Sequence, residues 1–569
     1  MEAAVSKQRT QMRLSLLFLL CLLSLGSQAQ NSSAHNFEVA KQLDIFNSLY
    51  RELDLYYVDT LQAQKNIENA LLYMLDQLDP YTQYFPESET HELKEMTTGK
   101  YAGIGSPIIY SERVDRCVFS EPYEGMPAAQ AGLRTGDIIL AVDGKELGGR
   151  GERTAADYSA DVSSRLRGEA GTTFELRVRR PGSDKPLTFR LQRRVIERPS
   201  VSYATLTDDS IAYVALSGYT ENTARDLRRS LVELKRDGAR RLILDLRGNP
   251  GGLMQEAIDI VGFFIPRGKE VVATKGKIRE FEKSYKTSSE PFDTEMPICV
   301  LVDYSTASSA EITSGALQDY DRAVIVGRRT YGKGLVQMPR DLPYKAMLKL
   351  TTSKYYIPSG RCVQAYDFKN RGNDGQPLHL PDSLCHTFYT SGGRPVRDGG
   401  GITPDVVVVP DTLTDFVEAL IRSDEVFDYI VDYRNSHAEI AAPLDFCLTD
   451  EEYAAFSERI LRSKFKYESQ SRRYLSALRS LAAAEGYGSL ATAEFDALAK
   501  KLDSNTANDL ERYETDIRRL LEGNIVGSYY YESGSIEYSL RDDSDFITAV
   551  EILRNDARYR QILAGTPNP

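Results

Sequence analysis

The segment that follows an apolar run near residue 300 carries the side chains best suited to nucleophilic chemistry. The run Ile298–Val302 leads into Asp303–Ile312, which is rich in small hydroxylated residues and opens a helix. A serine at such a strand-to-helix junction is lifted out of the edge of the sheet. The first turn of the helix also leaves backbone N–H groups unbonded, and these can hold a developing oxyanion. The pattern therefore makes a serine at the start of this helix a candidate nucleophile.

A lysine that could activate this serine lies on the next loop. The strand Ala323–Gly327 precedes Thr330–Gly334, in which Lys333 stands between two glycines. A lysine acts as a general base only when it is neutral, and burial can lower the pKa of a lysine amine enough to permit this. A Ser–Lys pair is an established way to activate a hydroxyl. By the chemistry alone, the favoured interpretation is that Lys333 is a solvated turn residue and that the serines only cap the helix.

A third segment, Asp245–Gly252, could supply backbone donors. It lies at the end of the strand Leu242–Leu246 and precedes a helix, and its adjacent glycines allow N–H groups to face an anion or a carbonyl oxygen. Neither GxxxxGK[ST] nor GxGxxG is present, and a plain strand-to-helix turn is the alternative. The five histidines stand outside any GxSxG or HExxH motif, which disfavours a histidine-dependent hydrolase.

Alternating strands and helices from about residue 200 to 410 would place these three segments in one α/β domain. The sequence predicts strands and helices at Ile211–Leu216, Ala224–Lys235, Leu242–Leu246, Glu256–Phe264, Ile298–Val302 and Glu311–Leu317.

The flanking regions differ in character. Residues 36–78 show helical periodicity that ends at Asp79–Tyr81, because a residue before proline is pushed away from helical angles. Residues 101–196 contain short β-like runs separated by Gly and Pro turns. After Pro410 the chain is polar and mostly helical, and Tyr529–Tyr531 with Ile536–Leu540 predict a small hairpin.

Composition excludes several classes of protein. The 569 residues are enough for about three to five domains. The net charge of −12 argues against nucleic acid or an anionic membrane surface as the main partner. A hydrophobic content of 41% is too high for a disordered chain. Six cysteines without a CxxC pair indicate neither a disulfide scaffold nor a zinc site, and Cys362 and Cys385 are candidates for one disulfide.

The first residues resemble an export signal. Lys7, Arg9 and Arg13 form a basic head, Leu14–Leu25 is apolar, and Ser27–Ala29 supplies small residues at a cleavage site. This layout predicts a cleaved secretory signal peptide over residues 1–29. An uncleaved membrane anchor is the alternative, but the apolar run is short for a bilayer span.

Taken together, the motifs resemble those of the carboxy-terminal processing proteases, also called tail-specific proteases. The resemblance covers roughly residues 40–410 and rests on Asp79–Phe85, Gly103–Gly105, Asp245–Gly252, Ser305–Ile312, Ala316–Asp319, Thr330–Gln337, Tyr356–Arg361 and Gly401–Asp405.

The resemblance implies roles for individual residues. Alignment on Glu311 and Ile312 makes Ser308 the nucleophile in preference to Ser309, although Thr306, Ser309 and Ala310 depart from the residues usual in the family. Lys333 is then the general base, and Gln337 orients it. The implied oxyanion hole is formed by Gly251 or Gly252 together with the N–H of Ser309. The positions implied to support the site, by structure more than by chemistry, are Glu311, Asp319 and Thr330.

Residues 101–196 are similar to the PDZ domain of the same family. Ala129–Ile139 matches the PDZ core signature, and the loop Gly103, Ile104 and Gly105 is implied to hold a terminal carboxylate while the peptide adds as a strand. A PDZ fold by itself implies only peptide binding, so this motif locates substrate capture.

The resemblance thus implies an α/β fold: a crotonase-like Ser/Lys protease core (200–410) with an inserted PDZ domain (101–196). An N-terminal helical segment (36–100) and a mostly helical C-terminal extension (411–569) flank it. The implied function is a serine endopeptidase without metal or organic cofactor, located in the periplasm or cell envelope. Its implied partners are proteins or peptides with apolar C-termini and no nucleic acid. The helical segments are candidates to shape a cavity, form a homodimer or bind an adaptor. The rival interpretations are a non-catalytic PDZ scaffold and an acyl-thioester enzyme.

Overall fold

A computed structural model describes residues 34–565, except 184, 198, 373, 410–412, 464, 489 and 503–504. The predicted signal peptide lies outside the described residues. The chain divides into two compact units, Met1–Tyr84 and Phe85–Pro569. The described part of the first unit contains helices α1 (34–56) and α2 (Ala63–Asp76), and strand β1 (Gln83–Phe85) leads into the second unit. Helix α2 ends two residues before the predicted limit, and in the turn that follows Asp79 accepts hydrogen bonds from the N–H groups of Tyr81 and Thr82 at 2.9 and 2.8 Å.

The second unit begins with a helix and a small β domain. Helix α3 (Thr90–Thr98) precedes strand β2 (Lys100–Gly103), which pairs with β9 (Arg194–Glu197) at the base of the domain. Between them an antiparallel sheet with strand order β3-β4-β5-β7-β8 packs against one longer helix, α5. Its elements are β3 (Ile108–Ser111), β4 (Arg116–Phe119), α4 (Pro127–Gln130), β5 (Ile138–Val142), β6 (Lys145–Glu146), α5 (Ala155–Leu166), β7 (Thr173–Arg179) and β8 (Leu187–Gln192).

The central sheet of the second unit has strand order β10-β11-β12-β15-β16-β23. It is parallel except for the antiparallel pair β10–β11. Its strands and adjoining helices are β10 (Val201–Leu206), β11 (Ile211–Leu216), α6 (Thr223–Arg236), β12 (Arg241–Asp245), α7 (Met254–Val261), β15 (Ile298–Val302), α8 (Ser309–Asp319), β16 (Val324–Gly327) and β23 (Val406–Val407).

Both faces of this sheet are covered, which explains why the inner strands β11, β15 and β16 are continuously apolar. Alternate residues such as Leu244 and Val300 pack with helices α6, α7 and α8. The intervening residues, such as Ile243 and Leu301, pack with two helices from the end of the chain, α16 (Ser544–Arg554) and α17 (Asp556–Leu563).

A second, antiparallel sheet lies beside the core, with pairings β17–β18, β18–β13 and β13–β14. The remaining strands of this region are β13 (Glu270–Gly276), β14 (Lys283–Lys286), β17 (Leu335–Asp341), β18 (Met347–Tyr356), β19 (Tyr366–Arg371), β20 (Pro377–His379), β21 (Thr387–Tyr389) and β22 (Pro395–Arg397).

The C-terminal region is helical, and the hairpin predicted there is wrong. Residues 529–531 and 536–539 belong to α15 (Glu514–Ser539), which breaks at Tyr531 (φ 61°, ψ −167°). The chain does reverse there, but as two helical arms. A Cβ on Gly527 would lie 2.4 Å from Ser535 Oγ, which shows how closely the two arms approach. The other helices are α9 (Asp415–Arg422), α10 (Asp424–Ser436), α11 (Asp450–Arg462), α12 (Gln470–Ala484), α13 (Thr492–Lys501) and α14 (Thr506–Arg512).

Two further observations concern cysteines and membranes. The predicted disulfide is wrong, because Cys362 and Cys385 are both free thiols. Each thiol packs within its own surroundings: Cys385 Sγ contacts the carbonyl oxygens of Pro381 and Gly399 at 3.7 and 3.6 Å, and Cys362 Sγ lies against Gly334. In the described residues, no helix combines the length and apolarity that a bilayer span requires.

Candidate active site

Three loops meet where the parallel strands β12, β15 and β16 end at the same edge of the central sheet. We call them the glycine loop (246–253), the serine loop (303–308) and the lysine loop (328–334). Together with α3, α8, β17 and β18 they surround a cavity of about 560 Å³. Six of the predicted site residues line it: Gly251, Gly252, Ser308, Ser309, Lys333 and Gln337. Residues separated by up to 86 positions in the chain are thus brought to one site.

The two adjacent serines have different environments. Ser308 is half-buried at the N-terminus of α8 and has a positive φ of 55°. A positive φ is uncommon for a residue other than glycine and indicates local strain at this corner. Ser309 is 1% exposed, and its hydroxyl donates to the carbonyl oxygen of Gly252 at 2.8 Å. Ser309 therefore fastens the helix to the glycine loop, whereas Ser308 is the more exposed of the two serines that line the cavity.

Glu311 connects the serine to the lysine loop. Its fully buried carboxylate accepts hydrogen bonds from the backbone N–H groups of Ser308, Gly332 and Lys333 at 2.8, 2.8 and 2.9 Å. The hydroxyl of Thr330 donates to the same carboxylate at 2.5 Å and accepts from the N–H of Ile402 at 2.6 Å. Burial raises the pKa of the Glu311 carboxyl, and the four donors oppose this rise. One side chain thus sets the separation of Ser308 and Lys333.

Replacing Glu311 by alanine would leave four donors without their acceptor, two of them buried (Thr330 and Gly332) and two half-buried (Ser308 and Lys333). We expect Glu311→Ala to lower the free energy of unfolding by at least about 3 kcal/mol, because each unpaired buried donor costs about 1–3 kcal/mol. Glu311→Gln, which keeps one carbonyl oxygen, should cost less. Denaturant unfolding of both variants, with the exposed Glu233→Ala as control, measures this. An unchanged midpoint for Glu311→Ala would contradict the role of Glu311 as a connection.

The glycine loop is shaped by Asn249, a residue that the sequence did not single out. Its side-chain amide donates to the carbonyl oxygen of Leu216 at 2.8 Å, and its Oδ1 accepts the N–H of Gly251 at 2.9 Å. The N–H of Gly251 is therefore already engaged. Gly252 must be glycine, because a Cβ there would lie 2.1 Å from the carbonyl oxygen of Tyr219.

The sequence analysis also did not identify Asp303 and Tyr355 as site residues. Asp303 Oδ1 accepts the N–H groups of Gly248 and Ser305, each at 3.0 Å, and so joins the glycine loop to the serine loop. Tyr355 donates its hydroxyl to the carbonyl oxygen of Ser308 at 3.2 Å. Asp303 stands two residues before a serine at a strand end, a pattern typical of a side-chain-capped turn. No sequence pattern marks Tyr355.

Two other predicted residues lie in different settings. Gln337, on β17, lines the cavity, and its amide donates to Thr351 Oγ1 at 3.1 Å. Asp319 lies at the opposite end of α8 from Ser308 and forms a buried ion pair with Arg361 at 2.9 Å. Its position supports the helix and the following loop.

The loop Gly103, Ile104 and Gly105 lies away from this cavity, beside a groove of about 410 Å³ in the β domain. The groove is bordered by β3 and α5, and Tyr101 and Arg167 stand at one end. Ile104 is buried in the domain core, and the carbonyl oxygens of Ile104 and Gly105 accept the N–H groups of Ala128 and Tyr123, each at 2.9 Å. The side of the loop that bears these carbonyls is thus fastened to the domain.

No group of three or more metal-ligating side chains is placed to hold an ion in the part of the chain that the structure describes.

Comparison with known proteins gives the same organisation. Residues 210–370 match the model of peptidase family S41, residues 118–180 match a PDZ domain, and residues 416–553 match "Probable PDZ-protease, C-terminal helical domain".

A carboxy-terminal-processing protease of Bartonella bacilliformis is 35% identical over 346 residues, which span 60% of this chain and 77% of the relative. A "Probable CtpA-like serine protease" of Staphylococcus aureus is 30% identical over 60% of this chain and 66% of the relative. Among solved structures, a photosystem II D1 C-terminal processing protease is 28% identical, with 65% of this chain and 87% of that chain covered and a TM-score of 0.35. The chain belongs to the carboxy-terminal-processing protease family of serine peptidases, family S41.

Proposed function

We propose that this peptidase cleaves exported proteins selected by apolar C-terminal tails, with Ser308 as nucleophile and Lys333 as general base. The observation that carries the proposal is the Glu311 carboxylate, which binds the backbone of both residues at the edge of one cavity. Reacting groups held in a defined geometry convert a collision into an intramolecular step.

In the proposed reaction, neutral Lys333 accepts the proton of Ser308 Oγ as that oxygen attacks the peptide carbonyl carbon. The protonated lysine then gives the proton to the leaving amine, and an acyl-enzyme remains. Water attacks the ester in the second half, again with Lys333 as base, and Ser308 regains its proton. Gln337 is proposed to orient the lysine.

For the oxyanion we propose the N–H groups of Gly252 and Ser309. The N–H of Gly251 donates to Asn249, so it supports the loop in this scheme instead of binding substrate. Ser309 is the first residue of α8, whose first N–H groups have no acceptor within the helix.

The cavity walls support the proposed preference for apolar substrates. Apolar side chains from α3, α7, α8, β17 and β18 line it: Leu93, Met96, Met254, Ile312, Leu335 and Met347. A positively charged substrate side chain there would lose its hydration without gaining a partner, because no carboxylate is among the described residues that line the cavity. The PDZ groove is proposed to bind the free C-terminus, and the predicted signal peptide supports action in the periplasm or cell envelope.

The test uses an unfolded reporter protein with an apolar C-terminal tail. We expect the wild-type enzyme to cleave it, and a reaction stopped in acid to yield an acyl adduct on the peptide containing Ser308, detected by mass spectrometry. A matched reporter with an amidated C-terminus should show a KM about tenfold higher, because the terminal charge no longer binds the PDZ loop. An adduct on Ser309, or equal KM values for both reporters, would contradict the corresponding part of the proposal. Binding without any cleavage would instead indicate a scaffold.

A further inference from the structure

Two arginines on the loops of the active site bind a carboxylate of the C-terminal helices. Arg247 lies on the glycine loop, a few residues before Gly252, and Arg328 begins the lysine loop before Lys333. Both guanidinium groups bind the same carboxylate oxygen, Asp545 Oδ2, at 3.0 and 2.5 Å. Asp545 belongs to the first turn of α16, far along the chain from either loop.

Arg247 is held on several sides. It pairs with the neighbouring Asp245, with its Nη2 2.6 Å from Asp245 Oδ2, and its backbone N–H donates to the same carboxylate at 2.9 Å. Asp543 accepts from Arg247 through both oxygens at 2.9 and 2.6 Å. Burial by itself lowers the pKa of Arg247, but the adjoining carboxylates, Asp245 first, outweigh it and raise that pKa. The guanidinium is therefore a fixed positive charge.

The start of α16 is itself fixed to the central sheet. Asp543 caps the helix by accepting the N–H groups of Asp545 and Phe546, each at 3.0 Å. The ring of Phe546 packs edge-on against Tyr213 of β11 at 5.5 Å between centroids, and the hydroxyl of Tyr213 donates to Asp245 at 2.7 Å. The Asp545 side chain is 2% exposed, so solvent screens its two ion pairs little.

We propose that Asp545, supported by Asp543, is a positioning residue that fixes the glycine loop and the lysine loop relative to each other. The C-terminal helical region would then be part of the catalytic machinery and not only a covering layer. Three carboxylates and two guanidiniums form this cluster. Removal of the carboxylate that contacts both loops breaks the connection between Arg247 and Arg328: Arg247 keeps Asp245 and Asp543, whereas Arg328 loses its ion pair and can reorient together with the lysine loop. The inference rests on the proposed roles of Gly252 and Lys333.

The experiment compares Asp545→Asn with Arg554→Gln. Arg554 lies at the other end of α16 and pairs with Asp209 beside β11, so it also links this helix to the core, but it contacts neither loop. We expect kcat of Asp545→Asn to fall about 10- to 100-fold with KM within about twofold, because a loop displaced by about 1 Å misplaces the reacting groups. Arg554→Gln should keep the wild-type kcat. Thermal unfolding of both variants separates positioning from global destabilisation.

A double-mutant cycle tests the connection directly. If Asp545 acts through Arg328, the fold-loss in kcat of the double variant Asp545→Asn/Arg328→Gln should be much smaller than the product of the fold-losses of the two single variants. If Asp545→Asn does not fold, the Arg328→Gln single variant still tests the inference. The kcat of Arg328→Gln is also expected to fall.

Two results would overturn the inference: wild-type kcat for a folded Asp545→Asn or Arg328→Gln variant, or equal losses for Asp545→Asn and Arg554→Gln. Failure of the wild-type enzyme to form an acyl adduct at Ser308 would instead remove the proposed function on which the inference rests.

Discussion

The Ser308→Ala enzyme is expected to lose at least about 10⁴-fold in kcat on the tailed reporter, because no other group replaces the nucleophile. Ser309→Ala is the matched control. It removes the hydroxyl that binds the Gly252 carbonyl oxygen but leaves the backbone N–H of residue 309 in place. We expect it to lose no more than about tenfold, the effect of one lost hydrogen bond. Initial rates at saturating substrate, with unfolding midpoints for both variants, give the comparison.

The reverse order of effects would assign the nucleophile to Ser309. The structure makes this order unexpected, since Ser309 is almost completely buried and its hydroxyl is already donated. If Ser308→Ala still cleaves the reporter substantially, and independent preparations of this variant give the same rate, the serine mechanism is contradicted.

Lys333→Ala is expected to reduce kcat by about 10²- to 10⁴-fold at neutral pH, the usual contribution of a general base. The cavity offers a second lysine as a control, because Lys349 on β18 also lines it. Lys349→Met removes a positive charge from the same cavity. Its kcat should stay within about tenfold of the wild-type value if Lys333 acts by proton transfer and not only through its charge. In the wild-type enzyme the rate should increase with pH until the base is fully neutral, since only the neutral amine accepts the serine proton. Lys333→Ala should lose that dependence.

Turnover by Lys333→Ala comparable to the wild-type enzyme at neutral pH would show that another group takes the proton. Equal losses for Lys333→Ala and Lys349→Met would show that the two amines act on substrate binding and not on proton transfer. A parallel measurement of KM for each variant separates these two results.

Local patterns predicted two strands of the central sheet with the observed limits, whereas β12 and β16, which precede the glycine loop and the lysine loop, differ from the prediction by one residue. Ile211–Leu216 and Ile298–Val302 are observed as predicted, because each is an apolar run buried on both sides of a parallel sheet. The helices differ by one to three residues at their ends, where capping and packing decide the last turn. The failure near Tyr531 has a different cause: aromatic residues favour strands locally, but here glycines allow two helical arms to pack closely.

For the site residues, too, local motifs predicted one group and contacts between distant segments revealed the other. Ser308, Lys333 and the glycines were predicted from motifs that are short and continuous in the chain. Asn249 and Asp303, which shape the loops, contact partners on other segments, and their roles follow from those contacts. The Arg247–Asp545 contact joins positions nearly 300 residues apart and has no local pattern.

The sequence by itself determined the family, the strand–helix alternation and the residue types at the proposed reacting positions, because apolar periodicity and motif spacing are properties of neighbouring residues. Only the tertiary structure decided which serine hydroxyl is buried and already donated, which glycine N–H is already engaged, and which carboxylates hold the loops. Those properties depend on burial and on hydrogen bonds between distant segments, and the free energy of such contacts exists only once the segments have packed together.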